Sequence, residues 1–500
     1  MSYLRQFPAF VLLLLFSAAL MMVPAIDALI DHNMLISRTF FYHSVFFAVI
    51  SVLLGLATTN WHPRVPERYH LLTLLMVYIL LPIFLAAPLV PLVPNMDFMD
   101  LYFEMLSSLS TTGASVFERP ALISDTIHLW RSLVGWLGGL IVLVTTFAVL
   151  APLNLGGFEI SDKTGGQYLR HGAGTIEEAS RRIVQKARTI TPIYVMGTFV
   201  LALILTVCGD RPFVALCHAM ATVSTSGVSP IGGVEGAGSG RLGEIAIAIF
   251  LLSAVSQKTV FRSRWTERIP RFSDPQMQLM LICVLGITVV LFCRNFIGAA
   301  EVDRQDNLAA AAQGVWGSIF TILSFLTTTG FESSDWRTMQ VWSGLQSPGL
   351  ILLGVAVMGG GIATTAGGVK LLRVYALYRL GLQEMDLLVH PSSVRRQGHG
   401  DKMISDRGPQ TAFVFLMLFL ATLSLLLVAL SATGLGFERS LTLAIASLTT
   451  TGPAILTLSD GFGYADLNDA AQVIFSAGMI IGRMEALVII ALFNPAYWRN

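Results

Sequence analysis

Ser110-Thr111-Thr112-Gly113-Ala114-Ser115, Ser224-Thr225-Ser226-Gly227-Val228-Ser229, Thr327-Thr328-Thr329-Gly330-Phe331-Glu332 and Thr449-Thr450-Thr451-Gly452-Pro453-Ala454 are four variants of one phrase. Their glycines stand 114, 103 and 122 residues apart, from 113 to 227, to 330, to 452. Spacing of this kind reads as an internal repeat in which each copy is a structural unit. Every copy keeps one order: an apolar span, an acidic stretch, a short semi-apolar segment, the Thr/Ser-Gly strip, a second span. A lone Thr-Thr-Gly carries little, because small residues are common in membrane helices. Four in matching positions carry a great deal.

The first short segment, Asp100–Ser110, bears Leu101, Phe103, Met105, Leu106 and Leu109 along a helix-like pattern. At 1.5 Å per residue it reaches about 16 Å, roughly half the hydrocarbon thickness. It is too short to cross, but it can enter, stop midway and return as an extended strip. Irregular backbone at that depth survives only inside protein or beside water. Glycine accepts positive φ and so lets carbonyls turn one way. Four such strips around an axis would replace a cation's hydration shell with oxygens, and the short helices would aim their negative C-terminal ends at the ion. The candidate ligands are Thr111, Thr112, Gly113, Thr225, Ser226, Gly227, Thr328, Thr329, Gly330, Thr450, Thr451 and Gly452.

Composition agrees. Of 500 residues 54% are hydrophobic and 13% charged, and mean hydropathy is +0.69. Soluble domains carry roughly 25% charge, so soluble enzymes, nucleic-acid binders and disulfide-stapled modules are excluded. The four cysteines form no C-x-x-C pair and read as small buried hydrophobes rather than metal ligands. No H-E-x-x-H or G-x-S-x-G occurs and the nine histidines do not cluster within the spans; the chain is expected to be no enzyme and to hold no organic cofactor.

Ten spans are expected, at 7–26, 38–58, 69–93, 127–151, 189–209, 241–258, 275–294, 348–374, 410–432 and 470–493. Val23-Pro24-Ala25 resembles a signal cleavage site, but a second span follows at once, and the first reads as retained. Ten spans put both termini on one side, whose loops carry 22 of the 32 basic residues, Lys370 and Arg373 among them. The positive-inside rule makes that side cytoplasmic. The opposite side holds 19 acidic residues, including Asp97, Asp210, Glu301, Asp303, Asp306, Glu332 and Asp335, a field that concentrates cations. The expected organisation is two N-terminal helices in 1–66 and repeats at 67–160, 161–272, 273–408 and 409–500. All four strips share one orientation, which disfavours the inverted repeats of a secondary transporter for a larger solute.

Below the third strip, Gly359-Gly360-Gly361 and Ala366-Gly367-Gly368 break the eighth span. They read as an intramembrane loop blocking the cavity, with Thr364 and Thr365 free to hydrogen-bond. Arg483 lies in the apolar run Ala470–Leu492, where a charge costs about 2.5–3.5 kcal/mol on insertion scales. Glu485 stands about 200° round a continuous helix from it. Arg483 is therefore expected to face the ion path and Glu485 to pair with a neighbouring repeat. The polar stretches 153–190 and 375–408 are too short for a nucleotide domain, and Gly172-Ala173-Gly174 follows no strand pattern.

With these residues in place, the chain resembles the TrkH/TrkG branch of the Trk/Ktr/HKT superfamily of potassium-uptake proteins. Besides the strips, the resemblance rests on Trp130-Arg131-Ser132 with Trp136-Leu137-Gly138-Gly139, on Phe331-Glu332-Ser333-Ser334-Asp335-Trp336, and on Gly482-Arg483-Met484-Glu485. It implies an all-α membrane protein of four span–pore-loop–span repeats in pseudo-fourfold arrangement, plus two extra N-terminal helices. It implies K⁺ as transported ion, and Gly113 matches the potassium-permissive pattern rather than the sodium-favouring serine variant. Ser226, Val228 and Thr450-Thr451 depart from the usual residues and bear on the K⁺/Na⁺ ratio; a less selective Na⁺/K⁺ transporter is the alternative. It further implies a gate at Gly359, Gly360, Gly361, Gly367, Gly368 and Arg483, a homodimer in the lipid of a bacterial inner membrane, and a cytoplasmic TrkA-type ring subunit binding NAD(H) or ATP. No nucleic-acid partner is expected.

Overall fold

A run of four Schellman-type helix ends organises the molecule, and every regular element around them is helical. The computed structural model describes residues 8–58, 66–117, 119–153, 155–160, 176–256, 274–299, 307–343, 349–390, 408–458 and 461–493, and no strand occurs among them. The helices are α1 (Ala9–Leu20), α2 (Met22–Ile30), α3 (Met34–Thr58), α4 (Pro66–Ala86), α5 (Phe98–Leu109) and α6 (Asp125–Thr145). There follow α7 (Ile176–Val207), α8 (Pro212–Ser224), α9 (Gly240–Leu251), α10 (Pro275–Ala299), α11 (Asn307–Leu326) and α12 (Trp336–Ser343). The last are α13 (Gly349–Met358), α14 (Leu371–Val389), α15 (Gly408–Ala432), α16 (Phe437–Thr449), α17 (Asp469–Met484) and α18 (Ala486–Phe493).

Polarity is inverted relative to a soluble protein. Serines and threonines such as Ser51, Ser318, Thr321, Ser447 and Thr449 are buried, while Phe46, Leu53, Phe199, Leu425 and Val428 are exposed. With no water to drive burial, the apolar exterior is a lipid-facing belt and the interior packs through small residues. Among the described residues seven helices are long and apolar enough to cross a membrane: Ala9–Ile30, Met34–Thr58, Tyr69–Leu89, Asp125–Leu150, Arg181–Val207, Pro275–Arg294 and Gly408–Ala432.

The three remaining expected spans differ from continuous helices. At 241–258 stands the short α9, at 348–374 a loop divides α13 from α14, and at 470–493 α17 and α18 meet at Glu485 with φ +65°. Each follows a strip, and each breaks where the chain passes beneath the strips. The matching helix after the first strip, α6, also leaves regular geometry there, in a π-turn over Thr146–Leu150. Breaks at this depth are sustained because their backbone groups are buried in protein.

Residues 9–58 form a hairpin. Ser37 and Ser44 hydroxyls donate to the carbonyls of Ala25 and Ala18 at 2.8 and 2.7 Å, binding α3 to α1 and α2. It docks on the first unit through Thr126 donating to Asp27 at 2.8 Å and an edge contact of Phe40 on Trp130 at 5.6 Å. This places two extra spans, α1–α2 and α3, beside the first strip's unit.

Two expectations on charge and cysteine need correction. Lys370 and Arg373, counted as cytoplasmic-loop charges, are buried beneath the strips at 7% and 0% exposure, so they report interior pairing rather than sidedness. Of the cysteines only Cys217 is buried; Cys208 and Cys283 are half-buried and Cys293 exposed, because lipid solvates a thiol that water would leave in a core. Gly172-Ala173-Gly174 and the charges at Arg5, Arg64, Lys163, Arg170, 258–271, 301–306, 395–407 and Arg499 lie outside the described residues.

Candidate functional site

Helices α5, α8, α11 and α16 end alike. The amide of Thr112, Ser226, Thr329 or Thr451 reaches back five residues to the carbonyl of Ser107, Ala221, Ser324 or Ala446, each at 2.9 Å. One residue earlier, Thr111, Thr225, Thr328 and Thr450 donate three residues back at 2.9 to 3.3 Å. That pair of bonds is the Schellman cap, which puts its C′ residue in the left-handed region and usually places glycine there. Here threonine occupies it four times, with φ of +55°, +53°, +57° and +54°. A left-handed β-branched residue is an outlier costing about 1–2 kcal/mol, and strain repeated in four places points to function.

Two residues on, Gly113, Gly227 and Gly330 return to positive φ, at +76°, +64° and +79°. Positive φ at alternate positions, Thr then Gly, recurs in these three strips and lets the backbone reverse twice within three residues. The strips close on one another in a cycle. A Cβ on Gly113 would strike the carbonyl oxygen of Ser226, one on Gly227 the carbonyl oxygen of Thr329, and one on Gly330 the ring of Pro453 at 2.9 to 3.1 Å. On Gly452 it would strike Thr112, Gly113 and Ala114 of the first strip. The four strips holding the twelve candidate residues are thereby packed against one another.

The fourth strip ends differently from the expectation. Gly452 does not take positive φ; it opens a 3₁₀ turn, Gly452–Thr457, with Pro453 in its first positions. Its amide donates to Thr112 O at 2.6 Å, and its carbonyl accepts from the Tyr464 hydroxyl at 2.7 Å.

Each strip has its own support. In the first, buried Glu104 pairs with Arg131 at 2.6 Å and accepts from Val116 N at 2.9 Å, while Arg131 also donates to Ser115 at 2.7 Å. In the second, His218 lies 2.9 Å from Ser229. In the third, Glu244 accepts from Trp316, Ser333 and Ser334. Opposite strips therefore share a carboxylate brace and the alternate pair uses neutral groups. Spacing alone singled out none of these supports, though Arg131 and Ser333-Ser334 lay within quoted motifs.

Beneath the ring runs the 359–370 segment, non-helical and buried throughout. It is tied by Gly361 N to Ala254 O at 3.0 Å, Ile362 N to Gln276 Oε1 at 2.9 Å and Leu371 N to Gly360 O at 2.9 Å. Gly367 N donates to the Thr328 hydroxyl at 2.8 Å, which sets the loop directly under the third strip. Arg483 donates to the Thr111 hydroxyl and, at 2.7 Å, to Thr365 O. Glu485 instead accepts from Arg373 at 2.6 Å, whose guanidinium lies 3.7 Å over Phe415. The two residues face apart as expected, but by a different cause: the helix ends at Met484, so the 200° argument does not apply.

The family profile described as TrkH, cation transport protein, matches residues 36–232 and 259–499. The chain belongs to the TrkH family. Its relatives include the Trk system potassium uptake protein TrkH of Salmonella typhimurium, 27% identical over 98% of both chains. TrkG of Escherichia coli K12 is 26% identical over 91% of this chain and 92% of its own. In three dimensions the potassium transporter TrkH from Vibrio parahaemolyticus superposes with a TM-score of 0.82 at 22% identity, covering 99% of this chain and 100% of that one. This TrkH-family chain therefore has that transporter's fold and is a multi-pass membrane protein.

Proposed function

We propose that the chain is the ion-conducting membrane subunit of a Trk-type potassium-uptake system. The observation that carries this reading is the closed cycle of four strips, each launched from a left-handed threonine at a helix C-terminus. Dehydrated K⁺ passes along Thr111–Gly113, Thr225–Gly227, Thr328–Gly330 and Thr450–Gly452, exchanging water for peptide oxygens. Four C-terminal helix ends supply negative partial charge. The loop bearing Gly359, Gly360, Gly361, Gly367 and Gly368, latched by Arg483, is the gate.

The resemblance extends the proposal: repeats bounded near 67, 161, 273 and 409, cytoplasmic termini, a bacterial inner membrane, a homodimer, and a TrkA-type ring subunit that opens the gate with NAD(H) or ATP. The names of the relatives support K⁺ as cargo. In proteoliposomes, radiolabelled Rb⁺ uptake is expected without organic solute or a proton gradient, and external K⁺ is expected to compete with it. Uptake that demands an organic co-substrate would overturn the reading. Growth of a potassium-uptake-deficient bacterium in low K⁺, with and without the ring subunit, tests the regulation.

A further inference from the structure

Glu244 sits on α9, in the unit of the second strip, yet every bond it accepts comes from the unit of the third. Its Oε2 accepts from Trp316 Nε1 at 2.7 Å and Ser333 Oγ at 2.8 Å; its Oε1 accepts from Ser334 N at 2.8 Å and Ser334 Oγ at 3.0 Å. The side chain is 1% exposed. One turn earlier Arg241 grips Asp335 with two bonds, at 2.7 and 3.0 Å. Ser333 is further tied to α11 by its amide on Thr321 Oγ1 at 3.2 Å. Between this anchored segment and Gly330 stand only Phe331 and Glu332, so the height and tilt of the third strip are set from the neighbouring unit.

We propose that Glu244 is a positioning residue for ion selection: through Ser333 and Ser334 it holds the third strip in register across the boundary between units. The inference rests on the proposed conducting role of the strips. Only a carboxylate offers acceptors at both ends of the group; an amide keeps the shape but turns one end into a donor, orphaning the N–H of Trp316 or of Ser334 and forcing the serine hydroxyl there to turn and accept. K⁺ and Na⁺ differ in the oxygen spacing they require, so a loosened strip changes their relative cost of entry. A residue that merely aids folding would alter the amount of protein and leave the ion ratio untouched.

The test is the K⁺:Na⁺ permeability ratio in proteoliposomes, with Glu244→Gln, Ser333→Ala/Ser334→Ala and Gly330→Ser side by side. Glu244→Gln should lower the ratio roughly three- to tenfold. The double serine variant should lower it in the same direction, and adding it to Glu244→Gln should change little more, because both remove one network. An unchanged ratio in folded Glu244→Gln overturns the proposal; if that variant does not reach the membrane, an unchanged ratio in the serine variant does so. Gly330→Ser separates the two levels. A ratio that moves there but not in the brace variants sinks only the role of Glu244, whereas a ratio that moves in none removes the filter reading as well.

Discussion

The third and fourth strips start as one motif and finish as two. Thr328 and Thr450 share φ values of +57° and +54° and the same pair of capping bonds. Then Gly330 turns left-handed at +79°, while Gly452 opens a 3₁₀ turn and presses on the first strip. The letter is the same and the physical demand is not. Gly330 is needed for its dihedral and for room against a side chain, Pro453. Gly452 is needed because backbone atoms of Gly113 and Ala114 leave no space for a Cβ. Backbone cannot swing aside, so the largest effect is expected there. Gly452→Ala should cut Rb⁺ uptake on the order of 100-fold, equivalent to about 2.7 kcal/mol of overpacking, at unchanged abundance in the membrane. Gly330→Ala should cost about tenfold, and adding Pro453→Gly should recover part of it, the left-handed strain of about 1–2 kcal/mol remaining. Rescue of Gly452→Ala by Pro453→Gly would erase the distinction.

Beneath the strips the contrast continues. The Thr328 hydroxyl is held by Gly367 N and that of Thr111 by Arg483, whereas the buried Thr225 and Thr450 hydroxyls have no partner among the described residues. The loop and Arg483 thus hydrogen-bond the hydroxyls of two strips and not of the other two, although Gly367 also packs against Thr449 and Thr450. Arg483→Ala removes charged hydrogen bonds to Thr111 and Thr365 and, if the proposed gate is correct, a cation from the path; Rb⁺ flux should then rise up to about tenfold. Unchanged flux with reduced abundance would mark Arg483 as a packing residue.

What could be read from the sequence follows from what local chemistry fixes. The spans, the strips and the Gly359–Gly361 break are local: each announces itself by hydropathy or by a residue that only a backbone exception requires. The fourfold left-handed threonine was legible in principle, since each stands two places before its glycine, but capping logic places glycine, not threonine, at that position. The braces were not legible. Glu244 meets Ser334 across 90 residues, and Arg373 meets Glu485 across 112, and no periodicity carries such pairings. A continuous helix was assumed where α17 stops, because Glu485 is not a helix breaker by propensity; its positive φ accompanies a bond to the distant Arg373.

The supports of the two strips offer a smaller contrast. Glu244 holds the third through four bonds; Tyr464 holds the fourth through one, from its hydroxyl to Gly452 O at 2.7 Å. Tyr464→Phe deletes that bond and keeps the ring packed on Phe103 and Phe475. A neutral hydrogen bond is worth about 1 kcal/mol, so a shift of roughly fivefold or less in the K⁺:Na⁺ ratio is expected, below that of Glu244→Gln. A larger shift for Tyr464→Phe would reverse the ranking of carboxylate and phenol braces.

The smallest expected effect belongs to charge. Two residues past Gly330 stands Glu332; two past Gly452 stands Ala454, which carries none. The Glu332 carboxyl is pushed up to about 7, by burial first and then by Glu235, with Arg337 opposing. It is therefore ionised above that pH and neutral below it. A negative group at the mouth raises local cation concentration, so uptake from subsaturating K⁺ should rise about twofold between pH 6 and 8, and less in high salt. The stability sign is opposite: a carboxyl whose folded pKa is raised disfavours the folded state as it ionises, so acidification from about 7 strengthens the fold. A fall in uptake on acidification therefore cannot come from unfolding at this residue. Glu332→Gln should flatten the profile while leaving uptake at saturating K⁺ unchanged; a profile that keeps its midpoint in that variant assigns the pH response to another group.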